Sequence, residues 1–168
     1  METKELNKSL RLRARELGLC DKWYDGWDKG STRQELIDKY LEGIDFCIAN
    51  DYPKLEFIKA QFPQKLLFVN GIFVDDKVDA VNLKTAVLLG ESSGKLYYNG
   101  LYTGNVYVRH SSVLQIEAVG GARVFVEVYD GALVTVAADS ESKVFVYWHG
   151  GSVKTDGSVV VRDRRNKA

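Results

Sequence analysis

The chain has 168 residues, 45% of them hydrophobic, with 23 basic and 23 acidic side chains, enough for one ordinary globular domain or two small ones with an ample core. The charges balance within each half as well, which argues against a dedicated nucleic-acid binder, since that would carry a basic domain as its footprint. Arg11, Arg13 and Arg15 near the start, and Arg162, Arg164, Arg165 and Lys167 at the end, are local exceptions that read as solvated segments.

No stretch approaches the roughly 20 apolar residues of a transmembrane helix, and Met1 to Glu5 has no apolar signal core behind it. The expectation is a cytoplasmic protein, or a virion-associated one if phage-encoded, with neither membrane nor nucleic acid as partner. Cys20 and Cys47 lie in apolar helical contexts and read as reduced core thiols. His110 and His149 are too few for a metal site without carboxylate help, so neither metal nor cofactor is expected.

In chain order, Thr3 is placed to cap a helix running to Leu17, with Leu6, Leu10, Ala14 and Leu17 on one face and Gly18 to stop it. Asp21 opens a short segment bearing Trp23, Tyr24 and Trp27 and ending at Gly30. Ser31 or Thr32 then starts a capping box with Gln34 or Glu35, and the helix behind it should run to about Asn50. Its apolar residues Leu36, Ile37, Tyr40, Leu41, Ile44, Cys47 and Ile48 cover more than half its circumference. Pro53 suits an early position of a third helix carrying Leu55, Phe57, Ile58 and Phe62 before Pro63. Asn70-Gly71 between apolar runs signals a hairpin, and a helical turn ending at Gly71 fits nearly as well.

The second half repeats itself. Apolar triplets begin at Val87, Val106, Val124, Val144 and Val159, in steps of 19, 18, 20 and 15 residues, the self-similarity of stacked coils. A second strand follows each of the first four, carried by Leu96 and Tyr98, Leu114 and Ile116, Val134 and Val136, and Val153 and Thr155. Turn clusters such as Gly120-Gly121, Asp130-Gly131 and Gly150-Gly151 separate them. An antiparallel meander also has short, regularly spaced strands, but it gives no reason to repeat the Val-aromatic-Val triplet. The predicted fold is α+β: a helical head over residues 1–74, then a short parallel β-helix, a β-solenoid of about five coils, over residues 75–168.

Side chains alternate along a strand, so outer triplet residues facing the core leave the middle ones facing out. That predicts an outward apolar stripe of Leu88, Tyr107, Phe125, Phe145 and Val160, while Tyr97, Gln115, Thr135 and Lys154 make the opposite face polar. Three aromatics at about 150 to 250 Å² each, and about 25 cal/mol per Å², amount to on the order of 10 kcal/mol of gross transfer free energy at most. A stripe of that size calls for a cover: the head, a second copy of the chain, or a ligand such as a glycan.

Beside the stripe the sequence places Arg109, Glu127, Tyr147 and Arg162, with His110 and His149 next to them. Alternating charges up such a ladder stabilise neighbouring coils by cross-strand pairing. A catalytic groove of the kind found in β-helical polysaccharide lyases and hydrolases would need convergent acids or bases. Only Glu127 and Asp130 are near, so no catalytic residue is assigned and an enzyme is not expected.

The head segment YLEGIDFCIANDYPKLEFIKAQF and the coil strings NVYVRHSS, ARVFVEVYDGALV, KVFVYWHGGSV and VVVRDR resemble a family of small proteins from gut Bacteroidetes and their phages, to which no activity is assigned. The resemblance implies a phage or mobile-element product and carries over no catalytic residues. Bactofilin filaments and adhesin heads are similar only in their Val-rich coils. Two functions follow as expectations: a non-enzymatic structural or interaction protein that uses the aromatic face for self-association or partner docking, or a carbohydrate-binding or carbohydrate-cleaving β-helix with the aromatics as a glycan platform.

Overall fold

The structure, a computed structural model, describes residues 1–27 and 32–165 and divides between residues 70 and 71 into two compact units. Gly30, Ser31 and Lys167 lie outside the described residues.

The first unit holds six helices, α1 (Thr3–Glu16), α2 (Asp21–Asp25), α3 (Arg33–Glu42), α4 (Ile44–Ala49), α5 (Leu55–Gln61) and α6 (Gln64–Val69), among the described residues. On α1 the apolar spacing buries Leu6, Leu10 and Ala14, and Gly18, at φ 99°, ends it. Glu2, not Thr3, stands at the N-cap, and it makes no side-chain cap bond. Thr32 does cap α3: its hydroxyl accepts the Glu35 N–H at 3.2 Å.

The single helix expected as far as Asn50 is divided at Gly43, where φ is −101° and ψ is 27°. Both pieces still bury their apolar faces, Leu36 and Ile37 on α3 and Ile44, Cys47 and Ile48 on α4. Pro53 precedes the Lys54 N-cap of α5 and is not inside the helix. Buried Tyr52 donates its hydroxyl to the Leu10 carbonyl at 2.6 Å, satisfying a polar group that burial would otherwise penalise. At Asn70-Gly71 the helix-ending alternative holds. Asn70 caps α6, and Gly71 takes φ 78°, a left-handed conformation that glycine adopts without cost.

The second unit is a parallel two-sheet solenoid. The strands are β1 (Ile72–Val74), β2 (Lys77–Val81), β3 (Thr85–Leu89), β4 (Ser93–Asn99), β5 (Thr103–Val108), β6 (Val113–Val119), β7 (Arg123–Val128), β8 (Leu133–Ala138), β9 (Lys143–Trp148), β10 (Ser152–Gly157) and β11 (Val159–Asp163). Odd strands form the first sheet in the order β1-β3-β5-β7-β9-β11, and even strands form the second in the order β10-β8-β6-β4-β2. Each coil therefore contributes one strand to each sheet. The unit begins ahead of the predicted boundary at residue 74 because Ile72–Val74 pairs in parallel with Val87–Leu89.

Between the sheets lies a continuous core. Val106, Val126 and Val146 stack from the first sheet, Leu96, Ile116 and Val136 from the second, and all are buried. At the corner after the first sheet, Asp75, Gly90, His110 and Asp130 all take positive φ, from 50° to 69°. Asp, His and Gly are among the residues that tolerate that region. Two of these side chains satisfy the backbone one coil earlier: His110 Nδ1 accepts the Gly90 N–H at 2.9 Å and Asp130 Oδ2 accepts the His110 N–H at 3.1 Å. Buried Ser92 and Ser112 do the same one step inward, donating to the Phe73 and Gly90 carbonyls.

The register corrects two parts of the predicted stripe. Ladder partners run Val87, Tyr107, Glu127, Tyr147, Arg162, so the central coils repeat every 20 residues. Leu88 is not on the outer face. It is fully buried in the inter-sheet core beside Ala86, and Val87 takes the place on the other side of the strand, where it too is fully buried. Because the run Ala86-Val87-Leu88-Leu89 is apolar throughout, it carries no alternation to set its phase, and a slip of one residue exchanges the two faces. Tyr107 does face out, but opposite Glu127; the residue opposite Phe125 is Asn105. The triplet starting at Val106 is two residues out of phase with the one at Val124, because Gly104 takes the ladder place that Val124 fills in the next coil.

Candidate functional site

With the register set, the outer face of the first sheet resolves into columns. The first carries Thr85, Asn105, Phe125, Phe145 and Val160. The second carries Val87, Tyr107, Glu127, Tyr147 and Arg162. Continuing past the strand ends, the third carries Leu89, Arg109, Tyr129, His149 and Arg164, each linked to the coil before through backbone bonds such as Tyr129 N–H to Val108 O and His149 N–H to Val128 O. Of the predicted stripe, Phe125, Phe145 and Val160 share one column. Of the predicted ladder, Glu127, Tyr147 and Arg162 share the next, Arg109 and His149 the third, and His110 sits in the corner stack.

Adjacent coils bring like rings together. Phe125 and Phe145 stack with centroids 5.4 Å apart and planes 10° apart, and Tyr129 and His149 stack at 4.2 Å and 5°. The guanidinium of Arg109 lies 4.6 Å from the Tyr129 centroid, so Tyr129 is held between Arg109 and His149. At the last coil the Arg164 guanidinium stands 5.9 Å from the Tyr147 ring and that of Arg165 3.5 Å from Trp148. Aromatic and cation–π pairs of this kind stabilise one coil on the next.

The acids near this face are engaged. Glu127 accepts from His149 Nε2 at 2.6 Å. Asp130 accepts from Arg109 Nε at 2.8 Å and Nη2 at 3.3 Å, besides the His110 N–H. Two carboxylates bound to different partners form neither an acid–base pair nor a metal cage, and among the described residues no group of three or more His, Cys, Asp and Glu could hold a metal ion. The arrangement can present a flat surface of half-buried ring edges ringed by charge.

No protein-family model, curated protein or solved structure matches this chain. No helix among the described residues is long and apolar enough to cross a membrane.

Three residues of this face escape a reading by triplets. Arg123 and Lys143 precede their triplets and are register partners on the outer side of β7 and β9, flanking the Phe125–Phe145 column. Arg164, at first sight part of a charged tail, follows β11 in the His149 column, its N–H bonded to the Trp148 carbonyl at 2.8 Å. The exact 20-residue repeat of the central coils would find Arg123 and Lys143, whereas Arg164 lies 15 residues after His149, the shorter step of the last coil.

Proposed function

We propose that this chain is a non-enzymatic structural or interaction protein, a phage or mobile-element product as its resemblance implies. The outer face of the first sheet around Phe125, Phe145 and Val160 is its surface for self-association or partner docking. One observation carries the reading: the rings of this face are closed face to face. Phe125 lies on Phe145 and Tyr129 on His149, with Arg109 on the far side of Tyr129 and Arg164 over Tyr147. What such a ladder offers outward is ring edges, which suit burial against another protein's apolar side chains. A sugar ring stacks on an open aromatic face, so the same geometry tells against a glycan platform, and the engaged acids Glu127 and Asp130 tell against cleavage.

Solution mass by light scattering tests this, for the native chain and for Phe125→Asp. A native oligomer that becomes a folded monomer on substitution is the expected result for self-association. For a heterologous partner, the native monomer retains a protein from its host that the variant loses. Glycan-array binding abolished by Phe125→Asp would replace this reading with the carbohydrate one.

A further inference from the structure

The two outer faces of the solenoid differ in charge. On the second sheet Lys77, Lys95 and Lys154 are balanced in number, without ion pairing among the described residues, by Asp79, Glu117 and Asp156, all exposed and all outward. On the first sheet Arg109, Arg123, Lys143, Arg162 and Arg164 face one strand carboxylate, Glu127. Glu127 is already bound to His149, and Asp130 at the corner to Arg109. Among the described residues no ion-pair partner stands against Arg123, Lys143, Arg162 or Arg164. A chain with no net charge thus concentrates unmatched cations on the face that also carries its aromatic column.

We infer that the partner of this face is an acidic polypeptide surface, one with an apolar centre and Asp or Glu on both sides of it. The inference rests on the docking role proposed above and names the chemistry of the partner. The layout of the cations argues for it. Arg123 and Lys143 stand on one side of the Phe125–Phe145–Val160 column and Arg162 and Arg164 on the other, so the complement is apolar in the middle and anionic at its rims. A polypeptide supplies that pattern, in keeping with the apolar core and polar rim of protein interfaces, and charge complementarity selects it over neutral partners. A nucleic acid or sulfated glycan carries its charge along a continuous backbone, which would have to cross the apolar column. Bases would also find Phe125, Phe145 and Tyr129 already stacked on neighbours, although stacking is a main source of single-strand affinity. A second copy of the chain presenting the same face would set arginines against arginines.

The test is a binding titration of the full chain with labelled poly(Glu,Tyr), a random acidic-aromatic copolymer, with heparin and poly(dT) as competing polyanions. Poly(Glu,Tyr) is expected to bind with an affinity that falls as salt rises. The double variant Arg162→Glu/Arg164→Glu, and separately Arg123→Glu/Lys143→Glu, should each weaken it at least about tenfold. The second-sheet control Lys77→Glu/Lys154→Glu should leave it unchanged, and circular dichroism should confirm that every variant is folded. Binding of heparin or poly(dT) tighter than the copolymer, an equal loss in the second-sheet control, or no binding of the copolymer at low salt would overturn the inference. If Phe125→Asp disperses an assembly while the charge reversals leave that assembly intact, the docking role stands and the acidic partner falls. If neither class of variant changes assembly or binding, the docking role itself falls.

Discussion

Tyr98 and Gly104 share one volume in the core. Tyr98 is fully buried and donates its hydroxyl to the Leu83 carbonyl at 2.8 Å, and burial raises its phenol pKa. A Cβ on Gly104 would overlap the ring atoms Cε1, Cζ and Oη of Tyr98. Elsewhere in these ladders the sizes are exchanged: Val124, Val144 and Val159 stand in the Gly104 column, and Ala118, Ala138 and Gly157 in the Tyr98 column. One large ring and one missing side chain replace the usual pairing of medium and small.

The pair should therefore be coupled. Gly104→Val alone overpacks the site and is expected to lower stability by about 1–3 kcal/mol, and Tyr98→Ala alone leaves a cavity costing about 3–5 kcal/mol. Tyr98→Ala with Gly104→Val rebuilds the local pattern of the next coil, so the double variant should lose clearly less than the sum. Urea denaturation of the four proteins measures this, and strict additivity would show that the two residues do not share the space.

The register also separates a core position on β3 from an outer-face position on β7. Leu88→Ala should cost about 2–5 kcal/mol because Leu88 is fully buried between the sheets. Phe125→Asp changes a half-buried ring edge and should leave the protein folded, with a cooperative thermal transition. The reverse outcome would return Leu88 to the outer face.

The two thiols should react differently. Burial pushes the Cys47 thiol up to about 12, and the thiolate is the reactive form, whereas Cys20 is exposed. An aromatic disulfide reagent at mildly alkaline pH should modify one thiol per native chain quickly and the second only after unfolding. Two fast thiols in the native protein would contradict the buried placement of Cys47.

Asp139 supplies an acid-sensitive contribution to stability. Its carboxylate accepts the Gly120 N–H at 2.9 Å and the Ser142 N–H at 2.9 Å, and these bonds, that from Gly120 first, hold its pKa below the ordinary 3.8. A carboxyl whose pKa is lowered by folding stabilises the native state above its unfolded value and loses that contribution as pH falls through the folded one. The difference in melting temperature between native protein and Asp139→Ala should thus be present at neutral pH and shrink below about pH 4. A difference independent of pH would mean that Asp139 acts through packing alone.

The reading by pattern succeeded where each residue repeats a neighbour's environment. Val124, Val126, Val144 and Val146 alternate with polar or aromatic residues, and both their strand and their face were legible. It lost phase at Val87 and at Val106, where the apolar run has no alternation and where Gly104 removes the marker valine. In the head, the helix expected through Gly43 divides because a single glycine ends one helical stretch and begins the next, an outcome that the apolar spacing does not distinguish from continuity. The rings of the candidate face were visible as residues, but their pairing was not: Tyr129 lies on His149 only because a full 20-residue coil separates them.

By itself the sequence determined a helical segment followed by a parallel solenoid, because coils stacked in parallel put like residues above like and leave that repetition in the chain. Only the tertiary structure decided the register, since side-chain direction in a strand changes with every residue and one slip trades core for surface. It also decided the character of the outer face. Whether a charged group is hydrogen-bonded, as Glu127 is to His149, or left open, as in Arg162, depends on distances across coils that no local pattern encodes.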